Sequence, residues 1–258
     1  MNCSISSIHY YPVKSLSSSN LNKCIIKKSL GIINDRIFAF SRNIDFENAK
    51  LIENNPNKRK LNKFLTLKNS PILNKYKFIY DQNKLSLFKA NKKIISISAD
   101  NNSEYSLICD KLILLEKSLS KPIFLLKNLT YPFFDTTHSE EISNTISLIN
   151  INSIKHLEKN INQVLECERF RGNFYIEGIN PWEERNWINK IIKINNVSFK
   201  VHKNIPRCSA TNLKPNTNEV TINLPKILKQ HYDHFDMGIY LIPLDDGEIN
   251  IGDNIILD

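Results

Sequence analysis

Short β-type runs separated by polar turns follow one another along this chain, and that succession limits its fold more than any other feature. "SISSIHYY" begins at Ser4 and "RIFAF" at Arg36, while "YKFIY" and "KLSLF" flank the polar turn Asp81–Asn83 and read as a hairpin. "PIFLL", "TISLIN", "NFYIEGI", "KIIKI", "VSFKVH", "GIYLIP" and "DNIILD" continue the series. Helical spacing is confined to three stretches. "SEYSLICDKLILLEKSL" carries Leu107, Leu112, Leu115 and Leu119 with Ser103 as its cap, "NSIKHLEKNI" starts from Asn152 or Ser153, and "LPKILKQHY" has Pro225 in its first turn. Strand and helix do not alternate regularly. The pattern argues against a doubly wound parallel sheet and predicts a mainly β fold of barrel type with peripheral helices.

With 258 residues the chain is long enough for one large domain or two closely packed ones. Its formal charge is +9, which fits an anionic partner, but Asn, Lys and Ile are abundant throughout and the basicity is general. Six glycines and the lack of GxGxxG or Walker loops exclude nucleotide binding by those routes. Lys58, Arg59 and Lys60 form a basic run read as a solvated face, with no aromatic stacking platform beside it, so no nucleic-acid partner is expected. No apolar run suits a signal peptide or a membrane span, so the expectation is a cytoplasmic protein without a membrane partner. The cysteines, Cys3, Cys24, Cys109, Cys167 and Cys208, are odd in number and have no CxxC spacing, so any chemical role falls to a single thiol.

Four stretches carry the polar chemistry. In "YYPVKSL", Pro12 ends a strand and leaves Lys14 and Ser15 on a turn suited to an oxyanion; in "GIINDRIFAF", Asp35 stands next to Arg36 and can orient its guanidinium. A purely structural Asp–Arg pair explains the second equally well. "RFRGNFYIEGINPWEERNW" puts Arg169, Arg171 and Asn173 on one face if extended, a row suited to a polar heterocycle and its phosphate. Trp182, Glu183, Glu184 and Trp187 read as packing and capping residues. In "NIPRCSATNLKPNTNE", Arg207 and Lys203 lie near Cys208 and favour its thiolate, a soft metal ligand. For the other four cysteines the reading is a small buried hydrophobe.

In order and spacing, "YPVKS", the "DR" before a strand, "RFRGN" leading to "EGINPWEERNW", "PRCSATNLKPNT" and the terminal Gly252–Asp253 resemble the MOSC superfamily of molybdenum-cofactor proteins, in the form with an N-terminal β-barrel domain. "SLIN" before "SIKHLE" and "DMGIY" at Asp236–Tyr240 are similar to bacterial members. The resemblance implies an N-terminal β-barrel domain over 1–120 packed on a MOSC β-barrel domain over 121–258, with the cofactor between them. Cys208 matches the cysteine that ligates molybdenum in the amidoxime-reducing relatives. Lys14, Ser15 and Arg36 match residues that grip the pterin and its phosphate, and Arg171 and Asn173 match a further cofactor-binding pair. Arg207 and Thr211 flank the cysteine as cofactor contacts, and Ser147 and Asn150 fall near a stretch that lines the site in relatives. The implied activity is reduction of N-hydroxylated or other N-oxygenated small molecules on the molybdenum cofactor, with electrons from a separate donor protein. Two other readings stand beside it: sulfur transfer through Cys208 in cofactor metabolism, and a basic β-module that binds RNA or another protein without catalysis.

Overall fold

A computed structural model describes residues 3–119, 121–134 and 143–257. In chain order these form β1 (Ser4–Tyr10), β2 (Ser19–Leu21), β3 (Lys23–Lys27), β4 (Gly31–Ile32), β5 (Phe38–Phe40), α1 (Phe46–Asn54), β6 (Tyr76–Asp81), β7 (Lys84–Lys89), β8 (Lys92–Ser98), α2 (Tyr105–Leu115) and β9 (Leu125–Lys127). There follow β10 (Ile146–Asn150), α3 (Ile151–Ile161), β11 (Phe174–Glu177), β12 (Ile191–Ile194), β13 (Val197–Pro206), α4 (Leu224–Tyr232), β14 (Asp236–Pro243), β15 (Gly247–Asn250) and β16 (Ile255–Leu257). The molecule is mainly β with peripheral helices. Among the described residues no helix is long and apolar enough to cross a membrane.

The largest sheet has the order β16-β12-β13-β14-β10-β11-β1-β2. Its one parallel pair, β10 and β11, is joined by the crossover helix α3, as a parallel connection requires. β10 is buried at every position, and its alternation feeds two cores. Ile146 and Leu148 join the sheet's own core with Phe174 and Val201, whereas Ile149 packs with Tyr175, Leu157 and Leu228 beneath α3 and α4. The first helix in that layer starts earlier than the sequence suggests. Asn150 caps it, its Oδ1 accepting from the Asn152 N–H at 3.0 Å, because Ile151 already faces the core.

A second core gathers β6, β7, β8 and α2 around Phe78, Leu87, Ile108 and Leu112. The hairpin lies where the pattern places it, and Gln82 and Asn83 both take positive φ, as a two-residue turn requires. The polar stretch before it holds an unforeseen helix, α1, capped by Asp45 and burying Ala49 and Ile52. Its basic run is not all solvated. Arg59 is buried and donates to the carbonyl oxygens of Ile52, Glu53, Tyr131 and Pro132 at 2.7–3.0 Å.

Hydrogen bonding crosses the 1–120/121–258 division that the resemblance implies. β1 pairs antiparallel with β11, and β3 pairs with β15. The first strands are therefore part of sheets completed by strands from Ile146 onward, while residues from Phe38 to Lys127 supply most of the second core, which Val13, Leu16, Ile37 and Leu213 complete.

Candidate functional site

A cavity of about 670 Å³, within the range of small-molecule sites, opens where strand ends from both halves of the chain meet. Ser15, which follows β1, and Arg36, which precedes β5, reach it from the N-terminal half; Ser147 of β10, Arg171 and Asn173 before β11, and Arg207, Cys208 and Thr211 after β13 reach it from the other. Eight of the ten residues that the resemblance assigns to the site thus line one space.

The floor is a buried polar network. Asp35 accepts from the Tyr11 N–H at 2.6 Å and from the Arg36 guanidinium, while the Asn173 amide donates to Asp35 at 3.3 Å and to the His9 carbonyl at 3.1 Å. Ser147 closes it, its hydroxyl donating to Asn173 Oδ1 at 2.8 Å and accepting from the Asn173 N–H at 2.9 Å. Each group satisfies another, which is the condition for keeping charge and amide groups below 10% exposure. Gly172 is needed here because an added Cβ would stand 2.5 Å from the Ile149 side chain and 3.1 Å from the Tyr175 ring.

Three lining residues, none of them glycine or asparagine, have left-handed backbones: Ser15 at φ 60°, Arg36 at 54° and Arg171 at 51°. Such a conformation costs of order 1–3 kcal/mol per residue and is retained only where the surroundings impose it. It also decides one sequence expectation. Arg169, Arg171 and Asn173 do not form a strand face, because Cys167–Phe170 is a 3₁₀ turn that Arg171 terminates. Arg169 is buried instead, bonded to Glu166, the Asn212 carbonyl and Thr221.

Cys208 is exposed at the cavity. It opens the 3₁₀ turn Ser209–Asn212, and its carbonyl accepts from the Thr211 N–H at 3.0 Å and hydroxyl at 2.8 Å, so Thr211 fixes the loop that presents the thiol. Arg207 donates to the carbonyls of Phe170, at 2.6 Å, and Met237. Burial pulls its pKa below the usual guanidinium value. Lys203, expected to assist the thiol, is exposed on β13 and is not among the lining residues.

Two further expectations fall outside the cavity. Lys14 is buried, donates to the Phe134 carbonyl and lines a small adjoining space of about 10 Å³ that shares Phe134 with the larger one. Asn150 is committed to the α3 cap, the Asn180 carbonyl at 2.8 Å and Glu184 at 2.9 Å, so it does not face the cavity.

The sequence reading missed Tyr11, Tyr240 and the loop segment Leu61–Asn69. Tyr11 was legible as the residue alternate to Tyr10 ahead of Pro12. Its ring lies 4.9 Å from the Arg36 guanidinium carbon and 4.6 Å from that of Arg171. Among the described residues no group of three or more His, Cys, Asp or Glu side chains gathers to hold a metal ion. A metal at Cys208 would need most of its ligands from a cofactor.

The cavity thus brings a thiol on a strand-end loop together with guanidinium groups around a buried amide network. Residues 135–256 match the family model of the MOSC domain. That family is linked to molybdenum-cofactor binding and sulfur-carrier functions. Among solved structures, the chain is similar to YiiM from Geobacillus stearothermophilus, at 18% identity over 44% of this chain and 53% of that one, with a TM-score of 0.36. It is also similar to YiiM from Escherichia coli, at 14% identity over 44% and 53% with a TM-score of 0.34. The chain spans about half the length of these YiiM chains. Similarity to the YUAD protein from Bacillus subtilis extends over 99% of this chain and 94% of that one, at 10% identity and a TM-score of 0.44. No curated protein sequence matches.

Proposed function

We propose that this protein is a molybdenum-cofactor-binding oxidoreductase that reduces N-hydroxylated or other N-oxygenated small molecules with electrons from a separate donor protein. The supporting observation is the meeting of an exposed thiol, Cys208, with Arg36, Arg171 and Arg207 at one cavity of about 670 Å³. The donor set fits an anionic pterin with a soft metal: guanidinium groups suit its phosphate, the Asn173 and Ser147 network its heterocycle, and a thiolate the metal. When bound, the cofactor supplies a two-electron couple able to remove an oxygen atom from the substrate.

The chain's own residues provide placement and charge. Asp35 holds the Arg36 guanidinium against the floor, and the carbonyls of Phe170 and Met237 fix Arg207, so these cations are oriented before a ligand arrives. Thr211 holds the peptide of Cys208 and thereby the direction of its thiol. Preorganised cations of this kind favour an anionic cofactor without rearrangement at binding.

Metal and pterin analysis of protein purified from a cofactor-producing host tests this reading, together with turnover of N-hydroxylated compounds under an artificial reductant. Stoichiometric metal and turnover, with turnover lost in Cys208→Ser, support it. The exposure of Cys208 favours a second reading, in which the thiol carries sulfur as a persulfide. A fully metal-loaded wild type without turnover would turn the assignment to sulfur transfer.

A further inference from the structure

Lys68 lines the same cavity from a loop of the N-terminal half, is exposed, and makes no ion pair or hydrogen bond among the described residues. Its neighbours fix its position. Asn69 Oδ1 accepts from the Thr66 N–H at 2.9 Å and the Ser70 hydroxyl at 3.0 Å, and the Asn69 amide donates to the Phe64 carbonyl at 2.9 Å, so that side chain is spent on holding the loop. The loop in turn is fastened to the segment that follows Cys208. Leu65 and Leu67 share a core with Leu213, Ala210 packs on it, and Asn74 donates to the carbonyls of Lys214 at 2.9 Å and Thr217 at 2.7 Å.

These contacts fasten the loop that carries Lys68 to the segment that follows Cys208, whereas Arg36 and Arg171 converge on the ring of Tyr11, next to β1. A cation with no partner of its own among the described residues, lining the cavity from a loop stapled to the segment after the thiol, is placed to meet a charge on the incoming molecule. We infer that Lys68 determines specificity for substrates that carry an anionic group, a carboxylate or sulfonate, apart from the N-oxygenated centre. This inference rests on the oxidoreductase reading given above.

The test uses the protein as purified from a cofactor-producing host, in wild-type, Lys68→Glu and Lys58→Ala forms, with two N-hydroxylated amidines that differ only in one carboxylate. Lys68→Glu should raise KM for the carboxylated compound by about fivefold, the size expected of one solvent-facing charge pair, with kcat and the neutral compound unaffected. The difference should shrink at high salt, and Lys58→Ala should behave as wild type. An equal change for both compounds, or loss of metal and pterin in Lys68→Glu, overturns the inference. Calorimetry with benzoate and benzamide gives a readout without turnover: wild type should prefer benzoate and Lys68→Glu should lose that preference, and identical preferences in the two proteins overturn the inference. Loaded wild type that turns over neither compound refutes the oxidoreductase reading instead, and the calorimetry still decides the role of Lys68.

Discussion

Arg36 and Arg171, separated by most of the chain, rest their guanidinium groups on the same ring, that of Tyr11, at 4.9 and 4.6 Å from its centroid. The ring's electron-rich face partly offsets the repulsion of two cations brought close together. Tyr11 is buried, and its hydroxyl donates to the Gly172 carbonyl at 3.1 Å, which ties this platform to the residue between Arg171 and Asn173. Tyr11→Phe should cost about 1 kcal/mol for that lost hydrogen bond and keep wild-type metal and pterin content. Tyr11→Leu should lower the content because the platform is gone. Thermal denaturation and cofactor analysis of the two variants check this, and equal retention would show the ring to be dispensable.

The two arginines should differ in their effect on folding. The Arg36 and Asp35 side chains are 5% and 7% exposed, so Arg36→Ala leaves a buried carboxylate without its cation and should cost about 3–5 kcal/mol. Arg171 is only half-buried and donates to the Leu16 carbonyl at 2.6 Å, so Arg171→Ala should cost less. Both should reduce cofactor retention, and Lys58→Ala should change neither property. Denaturant melts paired with pterin analysis separate the two effects.

Thiol reactivity should single out one cysteine. Burial pushes Cys3, Cys24 and Cys109 up to about 12 and raises Cys167 as well, so little thiolate is available at these positions near neutrality. Cys208 is exposed. An alkylating reagent at neutral pH, followed by peptide mass analysis, should label Cys208 first and leave Cys3, Cys24 and Cys109 unmodified in the folded protein. Cys208→Ser should retain the fold and lose nearly all oxygen-removing turnover, while Cys167→Ser keeps it.

Glu184 predicts a pH-dependent gain in stability on substitution. Its carboxyl is fully buried, accepts from Asn150 at 2.9 Å and Ser153 at 2.8 Å, and burial raises its pKa above the ordinary 4.5. Because the folded pKa is the higher one, the unfolded chain releases this proton first as pH rises. Stability present below pH 4.5 is lost as pH climbs through the folded value. Glu184→Gln removes that loss, so its Tm should exceed the wild type's at pH 7 and converge with it below pH 4.5. A lower Tm for the variant at every pH would refute this.

The parts legible in the sequence were those with local causes. The hairpin of β6 and β7 and the helix Leu224–Tyr232 follow from turn residues and apolar spacing over a few positions, and both lie where those signals put them. Cys208, Arg36 and Arg171 stood out by their polar neighbours. What local pattern could not supply was partnership across the chain. Arg59 looks like surface in the sequence, and only the distant carbonyls of Tyr131 and Pro132 make its burial affordable. Asn150 looked like a site residue because "SLIN" falls near a stretch that lines the site in relatives, yet the buried Glu184 and the α3 cap claim its side chain. Lys68 gave no signal, since its place depends on how Leu67 meets Leu213.

The pairing of β3 with β15 has a consequence for how the molecule comes into being. Lys23 and Glu248, joined at 2.9 Å across that ladder, are 225 residues apart. During synthesis the first strands leave the ribosome long before their partners exist, so the N-terminal apolar runs Ile5, Ile8 and Ile26 must wait uncovered. The segment from Phe38 to Lys127 supplies most of the second core and is free to settle early, while Leu213, the large sheet and the cavity beside it join only when the later strands arrive. Nascent chains halted before Gly247 should therefore be protease-sensitive at their beginnings rather than at their ends.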